Sequence, residues 1–265
     1  HGASDEWVNV YINDKRVQFR DATKYLGLGT FQTEEAVRED LLDDQVRSAT
    51  IGPAGENGVL FANVTNDGRQ AGRTGHGAVW GSKKLKALSV RGTEGVTVHD
   101  PKKLLEMSFD ITEASQGPHT SKYRLLGTVT NVLNMNKLGL LPTRNYQEGT
   151  FEDAEMVSGE YLEEHHKVKK IACAQCPIAC EQMSMAKEPW EGAMTGIEYE
   201  CLYANGPNLG INDMNAIIKL IDVADRGGMD AMSQGVTISW AMETFERGIF
   251  KKEDFKCAKY PEGFE

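Results

Sequence analysis

The sequence lacks several features that would assign it to a special class of protein. It has no run of about 18 apolar residues, and its first residues, HGASDEW, contain neither a basic region nor an apolar core. We therefore expect no membrane span, no signal peptide and a cytoplasmic location. A long basic run is also absent, and 39 acidic residues outnumber 29 basic ones to give a net charge of −10. This balance argues against nucleic acid as a partner, because phosphates are bound by clustered Lys and Arg.

Cysteine is scarce but unevenly distributed. Of the five cysteines, Cys173, Cys176 and Cys180 form the pattern C-x2-C-x3-C. Thiols grouped this closely predict a metal centre rather than a disulfide framework. The lack of a second separated pair favours a 4Fe-4S cluster and leaves zinc as the alternative. The fourth ligand stays open between Cys201, Cys257 and a residue beyond this chain.

The first part of the chain has the pattern of a β-rich domain. Alternating apolar residues over 7–20, interrupted by Asn-Asp-Lys, predict a hairpin. Acidic residues at the start of 33–45 predict a helix. The apolar runs 58–64 and 86–91 predict strands on either side of a glycine-rich loop.

The second part has the pattern of a helical domain. Asp213 is expected to cap a helix whose apolar residues recur at helical spacing up to the glycine pair 227–228. Further helices are predicted over 101–115, 121–138, 152–168 and 231–248. We therefore predict an α+β chain, with a β-rich domain at 1–97 and a mainly helical domain at 98–265.

The loop between the two predicted strands is rich in glycine and cations. It reads NDGRQAGRTGHGAVWGSKKLK over 66–86. Glycine lets backbone N–H groups approach an oxyanion, and Arg offers a two-pronged donor to phosphate, so this loop suits an anionic ligand. It matches neither the Walker loop nor the dinucleotide fingerprint. A surface turn with solvated charges therefore remains the alternative.

Four segments in order carry a resemblance to a known family. They are AGRTGHGAVWGSKKLKAL, CAQCPIAC, GIEYECLYANGPNLGIND and ADRGGMD. Together they resemble the tungsten-dependent aldehyde ferredoxin oxidoreductase family. The resemblance covers nearly the whole chain and implies a fragment with part of the first, cofactor-cradling domain and the second, helical domain.

The resemblance implies an enzyme that oxidises a small aldehyde to a carboxylic acid. The implied cofactors are tungsten or molybdenum held by two pyranopterins, a magnesium ion bridging the pterin phosphates, and a 4Fe-4S cluster. The implied electron acceptor is ferredoxin or an iron–sulfur subunit. The alternatives are a non-catalytic iron–sulfur electron-transfer or scaffold subunit, and a family reductase acting on an aromatic acid or thioester.

The family motifs also imply roles for residues of the glycine-rich loop and the cysteine motif. Arg69, Gln70, Arg73 and Gly75 match the segment that meets the pterin phosphates and the magnesium ion. The cysteines at 173, 176 and 180 match ligands of the cluster.

Three acidic residues match the remaining motifs. Asp225 and Asp230 correspond to the aspartates that bind the polar edge of one pterin. Glu200 corresponds to the active-site carboxylate, which would take up the proton released on aldehyde oxidation. Glu198 is the alternative candidate for this carboxylate. If the segment forms a strand, both glutamates point to the same face. Two solvated surface glutamates remain the other possibility.

Two departures from the family pattern limit what the resemblance implies. Lys219 and Asp222 stand where other members carry E-x-x-H ligands for a metal that bridges a homodimer. An oligomer is therefore expected, but not one bridged by that metal. The family's catalytic histidine and fourth cluster cysteine match nothing in this sequence and are expected outside the chain.

Overall fold

The computed structural model describes residues 2–251 and has the α+β architecture predicted from the sequence. In the first part, six strands form one mixed sheet in the order β2-β1-β6-β3-β4-β5. The strands are β1 Val8–Asn13, β2 Arg16–Asp21, β3 Arg47–Thr50, β4 Val64–Asn66, β5 Arg69–Ala71 and β6 Leu85–Arg91. The predicted hairpin and the strand predicted at 86–91 are confirmed as β1–β2 and β6.

Three helices accompany this sheet: α1 Thr30–Leu41, α2 Pro53–Glu56 and α3 His76–Ser82. The helix predicted at 33–45 begins three residues earlier than expected. Its first turn is closed by the side chain of Gln32, which accepts a hydrogen bond from the N–H of Gly29 at 3.1 Å. The cap therefore lies at Gly29, because a glutamine reaches back to it.

The prediction of a strand at 58–64 is wrong. Most of that run forms turns, and only Val64 belongs to a strand. Its backbone bonds to a distant segment, since the N–H of Asn63 donates to the carbonyl of Gly228 at 2.8 Å and Ala62 forms an isolated bridge with Met229. A long-range partner therefore replaces the ladder that an apolar run would otherwise form.

The second part, as far as residue 251, contains seven α-helices and a small antiparallel sheet in the order β7-β8-β9. The strands are β7 Lys167–Ile171, β8 Glu181–Met185 and β9 Met194–Ile197. The helices are α4 Pro101–Gln116, α5 Ser121–Leu126, α6 Asn131–Lys137, α7 Gly159–His165, α8 Tyr199–Asn205, α9 Met214–Gly227 and α10 Ala231–Glu246. No helix in residues 2–251 combines the length and hydropathy needed to cross a membrane.

Three of the predicted helices, α4, α9 and α10, are confirmed nearly to the residue. Two others are shorter than predicted. The range 121–138 is divided by a 3-10 turn at Gly127–Thr130, and 152–168 contains a 3-10 turn, α7 and the start of β7. Residues 92–100 connect β6 to α4, and the domain boundary at 97 stays a prediction.

The main core lies beneath α9 and α8. Ile217, Ile218 and Ile221 are buried with Leu202 and Ile197. The apolar residues of α9 recur at helical spacing, so one face of the helix is buried in the core. The C-terminal end of α9 lies against the first part of the chain. That end is Asp225-Arg226-Gly227-Gly228. Gly228 is the C-cap residue and has a left-handed conformation with φ +73°.

Candidate functional site

A cleft lies where the β4–β5 turn meets the small sheet and the ends of α8 and α9. It encloses about 170 Å³. Its lining combines charged, amide and thiol groups from segments far apart in sequence: Gly68, Arg69, Gln70, Glu181, Gly196, Glu198, Cys201, Ile221 and Asp225. Both parts of the chain therefore contribute to one polar cavity.

Asp225 forms the buried acidic end of the cleft. Gln70 donates from Nε2 to Oδ1 of Asp225, and Thr195 donates from its hydroxyl to Oδ2. Burial raises the pKa of Asp225 to about 6, while these two hydrogen bonds oppose the rise. Asn63 extends the network by donating to Oε1 of Gln70 and, at 2.9 Å, to the carbonyl of Met229. The orientation of Asp225 is therefore set by partners in both parts of the chain.

Arg69 crosses the cleft from β5 to the cysteine loop. Its Nη1 lies 2.5 Å from Oε2 of Glu181 and 3.6 Å from Oε1 of Glu198. Its Nη2 donates to Sγ of Cys173 at 3.0 Å. Burial raises the pKa of Glu181, and the positive charge of Arg69 opposes that shift. One guanidinium thus contacts both the acidic groups and the cysteine motif.

The three predicted cluster cysteines lie in the loop between β7 and β8. The residues before the second and third cysteines, Gln175 and Ala179, have left-handed φ values of 59° and 52°. Such conformations are uncommon outside glycine and concentrate at functional sites. The pKa of Cys180 is raised by burial, then by the nearby charge of Glu198, with smaller contributions from the other two thiols. The three thiols are therefore close enough to interact electrostatically.

These thiols do not converge on a single point. Within residues 2–251, no three His, Cys, Asp or Glu side chains are placed to bind one ion together. Of the candidates for a fourth ligand, Cys201 lines the cleft, where burial raises the pKa of its thiol. Cys257 lies outside the described residues.

The two glutamates of GIEYE occupy different environments. The interpretation that both stand on a strand is wrong, because β9 ends at Ile197 and α8 begins at Tyr199. Glu198 precedes the helix and lines the cleft beside Arg69, whereas Glu200 is exposed in the first turn. A helical start separates the directions of residues two apart, so the two carboxylates do not share a face.

The remaining predicted cofactor residues lie next to the cleft. Nε of Arg73 is 3.9 Å from Oδ2 of Asp230, which also accepts the N–H of Ser233 at 2.8 Å and so caps α10. Gly75 has φ +74°, and a Cβ there would lie 2.5 Å from the carbonyl oxygen of Leu60. A side chain would therefore push the glycine-rich loop away from the chain that supports it.

Sequence reasoning missed several residues that build the cleft. Glu181 contacts Arg69, Thr195 contacts Asp225 and Asn63 contacts Gln70, but these three residues belong to none of the recognised motifs. Glu181 had one available signal, its position directly after the third cysteine of the motif. The other two are identified only by the fold, since hydroxyl and amide residues are common in loops and strands.

Asp222 lies near the cleft and has cationic partners. Nε of Arg226 is 2.7 Å from its Oδ1, and Nζ of Lys219 is 3.9 Å from its Oδ2. Asp222 is 1% exposed, so these cations compensate a buried carboxylate. The side chain is thus held within its own helix.

Comparison with known proteins identifies the family to which the chain belongs. The family model for the N-terminal domain of aldehyde ferredoxin oxidoreductase matches residues 1–92, and the model for domains 2 and 3 matches residues 80–264. The chain is 44% identical over 259 residues to a tungsten-containing aldehyde ferredoxin oxidoreductase of Pyrococcus abyssi, covering 96% of this chain and 42% of that protein. It therefore belongs to the aldehyde ferredoxin oxidoreductase family of oxidoreductases.

Other relatives show that the family is chemically broader. An aliphatic sulfonate oxidoreductase, WOR-like subunit, of Pyrococcus furiosus is 30% identical over 272 residues, covering 96% of this chain and 43% of that protein. A solved structure of the active site complex BamBC of benzoyl coenzyme A reductase, with 1,5-dienoyl-CoA, has a TM-score of 0.79 and 25% identity. The structural match covers 98% of this chain and 41% of the reductase chain. The chain thus spans about two fifths of the length of these relatives.

Proposed function

We propose that the complete enzyme oxidises aldehydes to carboxylic acids in the cytoplasm. The overall reaction joins an aldehyde and water and releases a carboxylic acid, two electrons and two protons. When bound, a bis-pyranopterin with tungsten or molybdenum would supply two-electron chemistry, and a 4Fe-4S cluster would supply exit for single electrons. Ferredoxin or an iron–sulfur subunit would accept them.

The observation that carries this proposal is the position of Arg69. Its guanidinium donates to Sγ of Cys173 at 3.0 Å and lines the same cleft as Asp225. A metal cofactor and an electron-exit cluster must lie close together for electrons to pass between them. The contact between the cleft and the cysteine loop supports such a pair of neighbouring centres.

The donor set of the cleft fits the proposed cofactor. Arg69 and Arg73 provide guanidinium groups suited to pterin phosphates, with Gly75 keeping the loop against its support. Asp225 and Asp230 provide acceptors for the N–H groups at the polar edge of a pterin. Gln70 would contribute to this wall through its bond to Asp225. A magnesium ion would bind beside the pterin phosphates. The residues named here would form only part of the site for that ion.

Glu200 is proposed as the group that accepts the proton released during oxidation. Its carboxylate is exposed in the first turn of α8 and does not form an ion pair with Arg69, so it is accessible to a substrate. Glu198, by contrast, lies 3.6 Å from Nη1 of Arg69, and this ion pair gives it a role in holding that arginine. The two neighbouring glutamates therefore form a matched pair for testing.

The test uses the full-length enzyme purified without oxygen. Metal analysis is expected to give about one tungsten or molybdenum and about four irons per subunit, with acetaldehyde-dependent reduction of a viologen dye. Loss of a general base typically lowers kcat by about 10²–10⁴-fold. We expect a loss of that size for Glu200→Gln and a smaller one for Glu198→Gln, with metal content preserved in the Glu200 variant.

Contrary results distinguish the alternatives. Zinc as the sole metal would overturn the proposal. Iron without tungsten, molybdenum or extractable pterin would identify a non-catalytic electron-transfer or scaffold subunit. Full metal content with reduction of an aromatic thioester or acid, and without aldehyde oxidation, would identify a family reductase, a possibility favoured by the structural similarity to benzoyl coenzyme A reductase.

A further inference from the structure

The turn between α6 and α7, closed by a bridge between Thr143 and Glu148, presents an aromatic ring on an unusual backbone. Three consecutive residues other than glycine, Arg144, Asn145 and Tyr146, have left-handed φ values of 46°, 55° and 62°. Single residues of this kind occur in turns, but three in succession require the surrounding structure to enforce them. Such enforced backbone concentrates where a side chain has to be held in one place.

The surroundings of this turn supply that enforcement. The N–H groups of Arg144 and Asn145 donate to the carbonyls of Pro207 and Asn208 at 3.1 and 2.9 Å. The N–H of the third residue donates to Oδ1 of Asn208 at 3.2 Å, and the hydroxyl of Ser239 donates to Oδ1 of Asn145 at 3.0 Å. The turn is therefore fixed to the segment after α8 and to α10.

The ring held by this turn belongs to a group of three tyrosines. The side chains of Tyr146 and Tyr203 are hydrogen-bonded to each other, and the rings of Tyr203 and Tyr199 lie 5.3 Å apart between centroids at an angle of 50°. Tyr146 is 53% exposed, whereas Tyr203 is 9% exposed. We call these three residues the tyrosine wall; the buried Tyr203 holds an outer ring, Tyr146, that keeps about half its surface open.

The tyrosine wall adjoins the proposed reaction site. Glu200 and Tyr203 are three residues apart on α8 and are therefore neighbours on its surface. The positive charge of Arg73 acts on Tyr203 and lowers its pKa, although burial raises that pKa overall. Arg73 in turn lies 3.9 Å from Asp230. The wall thus adjoins the proposed proton acceptor along α8.

We propose that the tyrosine wall is the subsite for the organic group of the substrate, and that its exposed ring, Tyr146, selects aldehydes with a flat aromatic group. Aromatic rings prefer offset or edge-to-face contacts with centroids about 4.5–7 Å apart. A ring already fixed by its backbone and a hydrogen bond loses little freedom when a substrate packs on it. This inference rests on the proposed function, since that function places an aldehyde beside Glu200.

The test compares benzaldehyde with acetaldehyde in the full-length, metal-loaded enzyme. An aromatic contact is worth about fivefold to tenfold in affinity. We expect Tyr146→Ala to raise KM for benzaldehyde by about that factor, with kcat/KM for acetaldehyde within about twofold of wild type. Tyr146→Phe keeps the ring and should stay within about threefold for both substrates, since only the hydroxyl contact is lost.

A matched control and a binding measurement complete the design. Phe19→Ala removes another exposed ring, 74% exposed on β2, and should leave both substrates unaffected. Titration calorimetry should show tighter binding of benzoate than of acetate, with the difference reduced by Tyr146→Ala. Equal losses for both aldehydes in that variant, or no preference for benzaldehyde in the wild type, would overturn the inference while leaving aldehyde oxidation intact. If the wild type oxidises neither aldehyde but selects benzoate through Tyr146, the proposed function fails and the subsite stands.

Discussion

The two ends of the cleft are built in different ways. At the acidic end, both oxygens of Asp225 already accept hydrogen bonds from side chains of this chain. At the thiol end, Cys173 is exposed, and the cysteine loop contains two left-handed residues. The first end is organised by its own network, whereas the second has thiols grouped without bonds between them.

The two ends of the cleft would therefore bind their ligands in different ways. A buried carboxylate whose two oxygens each accept one hydrogen bond keeps its orientation before a ligand arrives, so little freedom remains to be lost on binding. Thiols on an exposed loop are ordered most effectively by the metal they bind, because binding supplies the missing bonds. Arg69 links the two ends through Glu181 and Cys173.

Replacing a cysteine should have the largest effect, because the thiol end depends on its ligand. We expect Cys176→Ser in the full-length enzyme to lose most of its iron and acid-labile sulfide, together with aldehyde-dependent dye reduction. A serine hydroxyl does not provide the soft thiolate that iron–sulfur clusters require. Iron analysis and visible absorbance measure the loss.

The control for this prediction is Ala174→Ser, which places the same hydroxyl in the same exposed loop without removing a thiol. It should retain the iron content of the wild type. Wild-type iron in the cysteine variant would show that the thiol end is not the cluster site and would remove the contrast between the two ends.

Disrupting the acidic end should instead reduce folding stability. Asp225→Ala leaves the half-buried donor of Gln70 and the donor of the buried Thr195 without their acceptor, and each unpaired donor costs about 1–3 kcal/mol where water does not reach it. We expect a loss of about 2–6 kcal/mol in the free energy of unfolding of the cofactor-free protein, measured by urea denaturation. Asp225→Asn should lose about half as much, because its amide oxygen accepts one donor while its NH₂ group faces the other.

A double-mutant cycle with Gln70→Ala checks this explanation. Removing the stranded donor should restore part of the stability lost in Asp225→Ala. Strictly additive losses would mean that the hydrogen bond contributes no coupling, and the acidic end would then be no better organised than the thiol end.

The fold was predictable from sequence where local periodicity and tertiary packing agree. The apolar repeat of α9 predicts its buried face, and its two terminal glycines predict the stop, because both signals are contained within the helix itself. The run 58–64 is equally apolar but forms turns, because its backbone bonds to Gly228 and Met229, more than 160 positions away. Nothing local in that run indicates such a partner.

The candidate site divides in the same way. The cysteine motif is visible from spacing, and Arg69 and Asp225 were assigned from the family resemblance. Their contact network was not predictable, because Arg69 meets Glu181 across 112 positions and Gln70 meets Asp225 across 155. The different environments of Glu198 and Glu200 likewise depend on the start of α8, which two alternating glutamates do not reveal.

The smallest predicted effect concerns Glu34, which supports the turn leading to Arg69. Both its carboxylate oxygens lie within hydrogen-bonding distance of the N–H of Asp67, at 3.1 and 3.2 Å, and burial raises its pKa from 4.5 to about 7. The folded protein therefore binds more protons than the unfolded chain between those values, and stability falls as pH rises through that window. We expect a loss of at most about 2 kcal/mol from pH 5 to pH 7 through this group.

Urea denaturation across that range measures the effect. Glu34→Gln cannot ionise, so its stability should decline less between pH 5 and pH 7, whereas Glu35→Gln, on the exposed side of α1, should follow the wild type. An unchanged slope in Glu34→Gln would show that the carboxylate is already ionised in the folded protein. The turn that carries Arg69 would then be supported by a charged carboxylate.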